Sequence, residues 1–507
     1  MKKTAIVLMV ITILSKVMGF AREMSLGYFY GTGAITDAFL IAFTIPGVLF
    51  NFVSNGVTTG YIPMFTRIEL EEGREKAHRF TANLTNILLI IALIVCVIGL
   101  VFTEPIVRIF AAGYTGERLQ YTVYFTRFMM FSVFAIGTSS VFRGYLNQHG
   151  SFVVPASTGF IMNFFTIGAI ILSARFHNLR YLAIGGVAAQ IIQYIAFPAA
   201  AKKSGYTHSA VLDFSDKHVR AIVMLALPII VGVAVQDINR IVDNSLASII
   251  MEEGGVTILT FANRMVGFVS GIVIISITTA IYPTLSRLAN QRKITEMKDT
   301  FRQSMSMMNL LVFPAVTGLM FFSTPIVNLL FGRGKFGPEA VVLTGSALTF
   351  YAPSLLGMSI REVLARMFYS LRDTRTPAVN AVITVILNIT FSVALSFFIG
   401  LNGLALGTTI ATILGAVLLF YVLRVRLRGL SLTRLIGSTV KILVASVLMG
   451  LAGYAFYRFM AGSIGDNLRL LLSIVISAGV YGVLILLLRV EEARQMLDLV
   501  QARIRRK

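Results

Sequence analysis

The chain has one cysteine, Cys96, in 507 residues, so no internal disulfide can form and no redox framework holds the fold. Its five histidines, His78, His149, His177, His208 and His218, have no metal-ligand spacing, and no glycine-rich Walker loop occurs. Nothing in the chain therefore reads as a metal centre, an ATP-hydrolysing site or any other enzyme constellation. Charge is scarce as well: Asp, Glu, Lys and Arg make up 13% of residues against 56% hydrophobic, and mean hydropathy is +0.81. An ordinary soluble domain carries about twice that share of charge. Acidic residues are fewest, 23 against 44 basic, for a formal charge of +21. That excess does not point to nucleic acid. The Lys and Arg fall in short clusters between apolar runs of membrane-spanning length, the pattern of cytoplasmic loops lying against anionic lipid head groups.

What is present is a series of about fourteen apolar stretches of ~20 residues or more, the length that crosses a ~30 Å hydrocarbon core. The fold class is an all-α polytopic membrane protein. The N-terminal run opens like a signal peptide but lacks a small-residue cleavage site, so it reads as a retained first helix. Pro46, Pro228 and Pro314 fall inside apolar stretches and are candidate kinks. Clusters such as Arg67, Arg74, Lys76 and Arg79, or Arg424, Arg426, Arg428 and Arg434, all fall on one side. This predicts that both termini are cytoplasmic.

The chain also repeats. A shift of about 220 residues aligns Pro63-x-x-Thr-Arg67 with Pro283-x-x-Ser-Arg287, and Pro105-Ile-Val with Pro325-Ile-Val. Residues 1–200 and 221–425 thus read as two pseudo-symmetric six-helix lobes joined by a cytoplasmic linker at 201–220. Two further helices lie in 426–489, and a basic tail at 490–507 reads as an amphipathic surface helix. Lobes duplicated in the same orientation, facing one another, are a transporter architecture.

Ionisable residues inside the apolar stretches are the functional candidates, because a charge at membrane depth needs a partner or a water-filled path. Arg22 and Glu23 are one pair; they are either a polar pathway or a pair that ends the first helix near the interface. Asp37 follows in the second stretch. Arg264 stands before a long apolar run in FANRMVGFVSGIVIISITTAIYP, either turned to a cavity, where its donors suit phosphate, or bridged to Asp37 or Glu23. The seventh stretch gathers Gln236, Asp237, Asn239, Arg240, Asp243 and Asn244. Asp237 and Arg240 can neutralise one another, which leaves Asp243 as a candidate cation or proton ligand. Asn388 and Thr408 are candidate oxygen partners for it, although each alone more often makes an interhelical hydrogen bond. The segment from Arg366 to Pro377, with Arg372, Asp373 and Arg375, reads as a helix end and topology anchor.

The stretch ILSKVMGFAREMSLGYFYGTGAITDAFLIAFTIP, then GYIPMFTR, then NRM in the eighth helix, then Arg366 to Pro377, together with fourteen helices in two halves, resembles the MurJ (MviN) family. These are bacterial lipid II flippases of the multidrug/oligosaccharidyl-lipid/polysaccharide exporter superfamily. The resemblance implies a cationic cavity with substrate-binding residues at Arg22, Glu23 (where an aspartate is commoner), Asp37 and Arg264. It also implies a groove for the lipid tail on the last two helices, and a sodium site at Asp243, Asn388, Thr408 and the Leu404 carbonyl. Lipid II, or a related polyprenyl-diphosphate glycan, would be the substrate, and the cell-wall synthesis machinery a partner. A flippase for another polyprenyl-linked oligosaccharide is the alternative. A cation-coupled drug exporter is a poorer one, because Arg22 and Arg264 would make its cavity cationic. The chain departs from the family pattern twice: Leu49, Phe50, Asn51 and Ser54 stand where many members carry an arginine and a glutamate, and Ser392 replaces a carboxylate.

Overall fold

The computed structural model describes residues 2–427 and 433–490, and every regular element among them is helical. In chain order these are α1 (Lys2–Tyr30), α2 (Ala34–Glu72), α3 (Arg74–Val101), α4 (Thr103–Phe110), α5 (Gly116–Met129), α6 (Ser132–Gln148), α7 (Val153–Arg175), α8 (Leu179–Ile192) and α9 (Ala196–Lys203). After the linker come α10 (Lys217–Ile250), α11 (Gly255–Asn290), α12 (Ile294–Phe321), α13 (Ser323–Phe331), α14 (Pro338–Tyr351), α15 (Ser354–Ser370), α16 (Arg375–Ile399) and α17 (Leu401–Arg426). The last two are α18 (Thr433–Phe459) and α19 (Asp466–Leu487).

The predicted stretches fall on helices, three of them broken by a short turn, between α5 and α6, α8 and α9, and α14 and α15. By length and composition, eleven helical spans are able to cross a membrane, or twelve if α5 and α6, bent 44° from one another, are a single crossing. The two that fall outside this set are α1, whose described side chains include Lys16, Arg22 and Glu23, and α10, where residues 225–233 lie outside the described side chains. Pro46 and Pro314 sit within the unbroken helices α2 and α12, and Pro228 is among those undescribed side chains. The basic tail beyond Val490, with Arg428 and Arg434, also lies outside the described residues and side chains.

The duplication is visible in the helices themselves. α1 to α7 run 29, 39, 28, 8, 14, 17 and 23 residues; α10 to α16 run 34, 36, 28, 9, 14, 17 and 25. The same order of long, short and broken helices recurs, including the two-turn helix after α3 and after α12.

The described residues fall into two compact units, one drawn from Met1–Thr257 and Arg333–Gly337, the other from Ile258–Gly332 and Pro338–Lys507. In the first unit α2 is central, packed by α3, α5, α6 and α10, while α1 lies along α7. Its core joins Leu26 of α1, Phe39 and Ala42 of α2, Phe125 and Met129 of α5, and Leu182 and Ala183 of α8. The linker is strapped to α3: Asn83 exchanges hydrogen bonds with the backbone of Asp213 at 2.7 and 2.9 Å, and Asn86 donates to the Val211 carbonyl at 2.8 Å.

In the second unit α17 is central, flanked by α14, α15 and α16, and α12 packs on α18. Lipid is as apolar as leucine, so helices here are held by close packing and polar contacts rather than by the hydrophobic effect. α17 approaches α16 so closely that a Cβ on Gly403 or Gly407 would lie 2.4 or 2.6 Å from the α16 backbone. Outward on α19, Leu468, Leu471, Val475, Val483 and Leu487 are exposed, as a lipid-facing surface requires.

Candidate functional site

α1 continues for eight residues beyond Arg22, so the Arg22 and Glu23 pair does not end a helix. At 1.5 Å per residue, Arg22 sits roughly 12 Å inside the helix end. Both residues are buried, at 8% and 1% exposure, and the Arg22 Nη2 donates to the Glu23 Oε1 at 2.5 Å. Neighbouring residues point about 100° apart on a helix, so the long guanidinium folds back to reach its partner. The Phe43 ring of α2 lies 5.2 Å from the guanidinium carbon, close enough for a cation–π contact. The arginine is thus neutralised in place.

Asp37 is fully buried and holds the start of another helix. Its carboxylate accepts from the backbone N–H of Gly254 and of Thr257, both at 2.9 Å, and from the Thr257 hydroxyl at 2.5 Å. The first N–H groups of any helix lack intrahelical acceptors, and a carboxylate is the strongest cap for them. Asp37 therefore caps α11 from 217 residues away in sequence. Arg118 lines the same region, with its guanidinium over the Tyr114 ring at 4.4 Å and reaching the Gly113 and Met251 carbonyls at 3.4 Å.

On α10, Asp237 is buried and meets Arg240 at 3.4 Å, as the three-residue spacing allows. Asp243 is half-buried and accepts from Asn239 at 3.1 Å, one helical turn away.

Within the second unit, Arg264 is exposed on α11. Asn388 and Thr408 are bonded to one another: the Asn388 amide donates to the Thr408 hydroxyl at 2.9 Å, and Thr408 donates to the Leu404 carbonyl at 3.0 Å. Ser392 donates to the Asn388 carbonyl oxygen at 3.3 Å. The bond between Asn388 and Thr408 clamps α16 to α17.

Two residues carry structure that the sequence did not announce. Thr257 completes the Asp37 cap. Arg361 of α15 donates through Nε to Asn380 of α16 at 3.3 Å; its neighbour Glu362 makes the pair look self-neutralising in sequence.

An all-helical chain with eleven or twelve spans able to cross a membrane is a polytopic membrane protein. The solved structures agree on the fold: a lipid II flippase MurJ in an inward closed conformation aligns with TM-score 0.83 over 97% of this chain and 100% of its own, at 22% identity. An inward-facing multidrug resistance MATE family transporter of the MOP superfamily aligns with TM-score 0.70 over 84% and 98%, at 16% identity. A probable lipid II flippase MurJ from Bdellovibrio bacteriovorus is 28% identical over 467 residues, 91% of this chain and 89% of that protein. The family model described as lipid II flippase MurJ matches residues 26–473. The chain belongs to the MurJ family.

Proposed function

We propose that this protein moves lipid II, the undecaprenyl-diphosphate-linked peptidoglycan precursor, from the inner to the outer leaflet of a bacterial plasma membrane by alternating access. The carrying observation is Arg22, a guanidinium buried well inside an unbroken helix and held there by an adjacent carboxylate. A fixed arginine suits a diphosphate, whose oxygens match its paired N–H donors. In this reading Arg22 exchanges Glu23 for the diphosphate on binding, and Glu23 takes it back when the lipid leaves. Arg264 supplies a second cation from α11, whose first turn Asp37 anchors. The outward apolar surface of α18 and α19 holds the polyprenyl tail. Membrane potential or a cation gradient drives the cycle: one charge moved through 100 mV is worth about 2.3 kcal/mol. Basic loops on the cytoplasmic side, where both termini lie, rest on anionic lipid, and the cell-wall synthesis machinery takes the product.

A second cargo, another polyprenyl-linked glycan, is favoured by one feature: Leu49, Phe50, Asn51 and Ser54 leave this part of α2 uncharged. Rescue of a bacterium depleted of its own lipid II flippase distinguishes the two. Wild type is expected to rescue and Arg264→Ala at matched expression to fail. Inserted, well-expressed wild type that never rescues would overturn the lipid II assignment in favour of the second cargo.

A further inference from the structure

The linker between α9 and α10 does not skirt the end of the first unit; it runs along α3 and turns back. Its partners trace the path. The Ser204 carbonyl accepts from the Arg74 Nη2 at 3.2 Å, Thr207 meets the His78 Nδ1 at 3.3 Å, and the Ser209 and Val211 carbonyls accept from Asn86 at 3.3 and 2.8 Å. The direction then reverses. Asp213 is held by Asn83, the His218 ring lies edge-on to Phe80 with centroids 6.0 Å apart, and Lys217 reaches Glu72 at 2.9 Å. From Arg74 to Asn86 is roughly 18 Å along the helix.

That distance reaches the edge of the membrane core. Arg79 is the last charge of α3, and the run from Phe80 to Val101 is uncharged throughout. At about 1.5 Å per residue that run crosses a ~30 Å core on its own. Asn83 and Asn86 stand about one and two turns past Arg79, at the boundary of that core. Irregular backbone is tolerated there when protein satisfies its polar groups. The two amides do this for Ser209, Val211 and Asp213, and Asn83 is itself buried. The Asp213 and Asp216 carboxylates are also turned to backbone, accepting from the N–H of Ser215 at 2.8 Å and of His218 at 2.7 Å.

Held in this way, the tip presents two large apolar side chains outward: Leu212 is 52% exposed and Phe214 57%. At its base stand Lys202 and Lys203 at the end of α9 and Arg220 in the first turn of α10, all exposed and in no ion pair among the described residues. An apolar tip above a basic base is the chemistry of a segment lying in the bilayer interface against anionic head groups.

We propose that linker residues 204–216 form a re-entrant membrane anchor. Leu212 and Phe214 enter the acyl boundary of the leaflet at the N-terminal end of α3, and Lys202, Lys203 and Arg220 take the phosphates of anionic lipids. The anchor deepens the lipid contact of the basic loops proposed above and depends on nothing about the cargo.

The chain contains no tryptophan, so Phe214→Trp places a single indole reporter in the full-length protein. It is reconstituted in nanodiscs of plain lipid and of lipid brominated at shallow or deep acyl carbons. Leu70→Trp is the aqueous reference, since Leu70 is 82% exposed near the end of α2 and outside its apolar window. Phe214→Trp should emit to the blue of Leu70→Trp, lose emission in brominated discs, more to shallow than to deep bromine, and resist the iodide that quenches Leu70→Trp. Brominated phosphatidylglycerol should quench it more than brominated phosphatidylcholine at equal mole fraction. That excess should vanish when Lys202→Gln, Lys203→Gln and Arg220→Gln are combined. If Phe214→Trp misfolds, Leu212→Trp carries the same test. Emission quenched by iodide and untouched by bromine overturns the anchor. Equal quenching by the two brominated lipids, or an excess that survives the three glutamines, overturns the head-group contact. No transported lipid enters these readouts, so a failure of the anchor is distinct from a failure of the flippase reading.

Discussion

Removing the Asp37 carboxylate should loosen the first turn of α11 by an amount set by the bonds it accepts. Three donors converge on it, two of them backbone N–H groups with no intrahelical acceptor, at a site with no exposure to supply water instead. A hydrogen bond to a charged acceptor contributes about 1.5–3 kcal/mol, and losing a cap costs about 1 kcal/mol in exposed helices. Asp37→Ala should therefore destabilise this turn by about 3–5 kcal/mol, allowing for non-additivity within one cluster. Asp37→Asn keeps one oxygen for Thr257 but turns an NH2 toward the Gly254 N–H, and should cost about 1–2 kcal/mol. Amide hydrogen exchange in nanodiscs reads this directly. At about 1.4 kcal/mol per tenfold, the amides of Gly254 and Thr257 should exchange roughly 100-fold or more faster in the alanine variant and about tenfold faster in the asparagine variant. Amides in the middle of α16 should not change. Equal rates in wild type and Asp37→Ala would refute the capping role, and so would an asparagine variant worse than the alanine one.

Two further outcomes follow from features outside that cluster. Glu72, at the C-terminal end of α2, accepts from Lys217 and lies beside Lys76 and His218; the Lys217 bond, chiefly, holds its carboxyl down at about 2 from the ordinary 4.5. A carboxyl depressed on folding stabilises above its unfolded value, so this contact should be intact above pH 4.5 and lost as pH falls toward 2. Hydrogen exchange in the linker at 204–216 should rise over that window, rise with salt because the pair is exposed, and lose both dependences in Glu72→Gln. At the α16–α17 contact, Gly407→Ala would force a Cβ to 2.6 Å from the Ser392 nitrogen, and overpacking of this kind costs about 1–3 kcal/mol against a helix-propensity gain of at most about 1. Its apparent Tm in detergent should fall, while Gly168→Ala, with nothing within 4 Å of the added carbon, should leave Tm unchanged or slightly raised.

The helices were legible because a membrane span announces itself in a run of apolar residues that no other demand interrupts. The Asp373 turn was legible for a local reason: its carboxylate accepts from Thr376 three residues on, at 3.0 and 2.7 Å, and also meets Arg426. Partners brought together by the fold were harder to read. Asp37 looks like a lone charge until Gly254 and Thr257 arrive from the α10–α11 turn. Asn388 and Thr408 were legible as oxygen neighbours, but which way an amide points is decided by surrounding acceptors, and here each satisfies the other. Arg361 was hidden by its sequence neighbour: Glu362 stands next to it in the chain, yet one helical turn favours Arg366 as the partner.

The segment Arg333–Gly337 leaves the second unit, packs in the first and returns. Its Lys335 N–H donates to the Tyr28 carbonyl at 2.9 Å, and Gly334 holds φ +63° with a would-be Cβ only 2.3 Å from that same carbonyl. Together with the crossing at Thr257, the polypeptide passes between the units in three places rather than one. The loop is a latch that only a glycine can close: any side chain at position 334 would push it off the Tyr28 carbonyl at the end of α1.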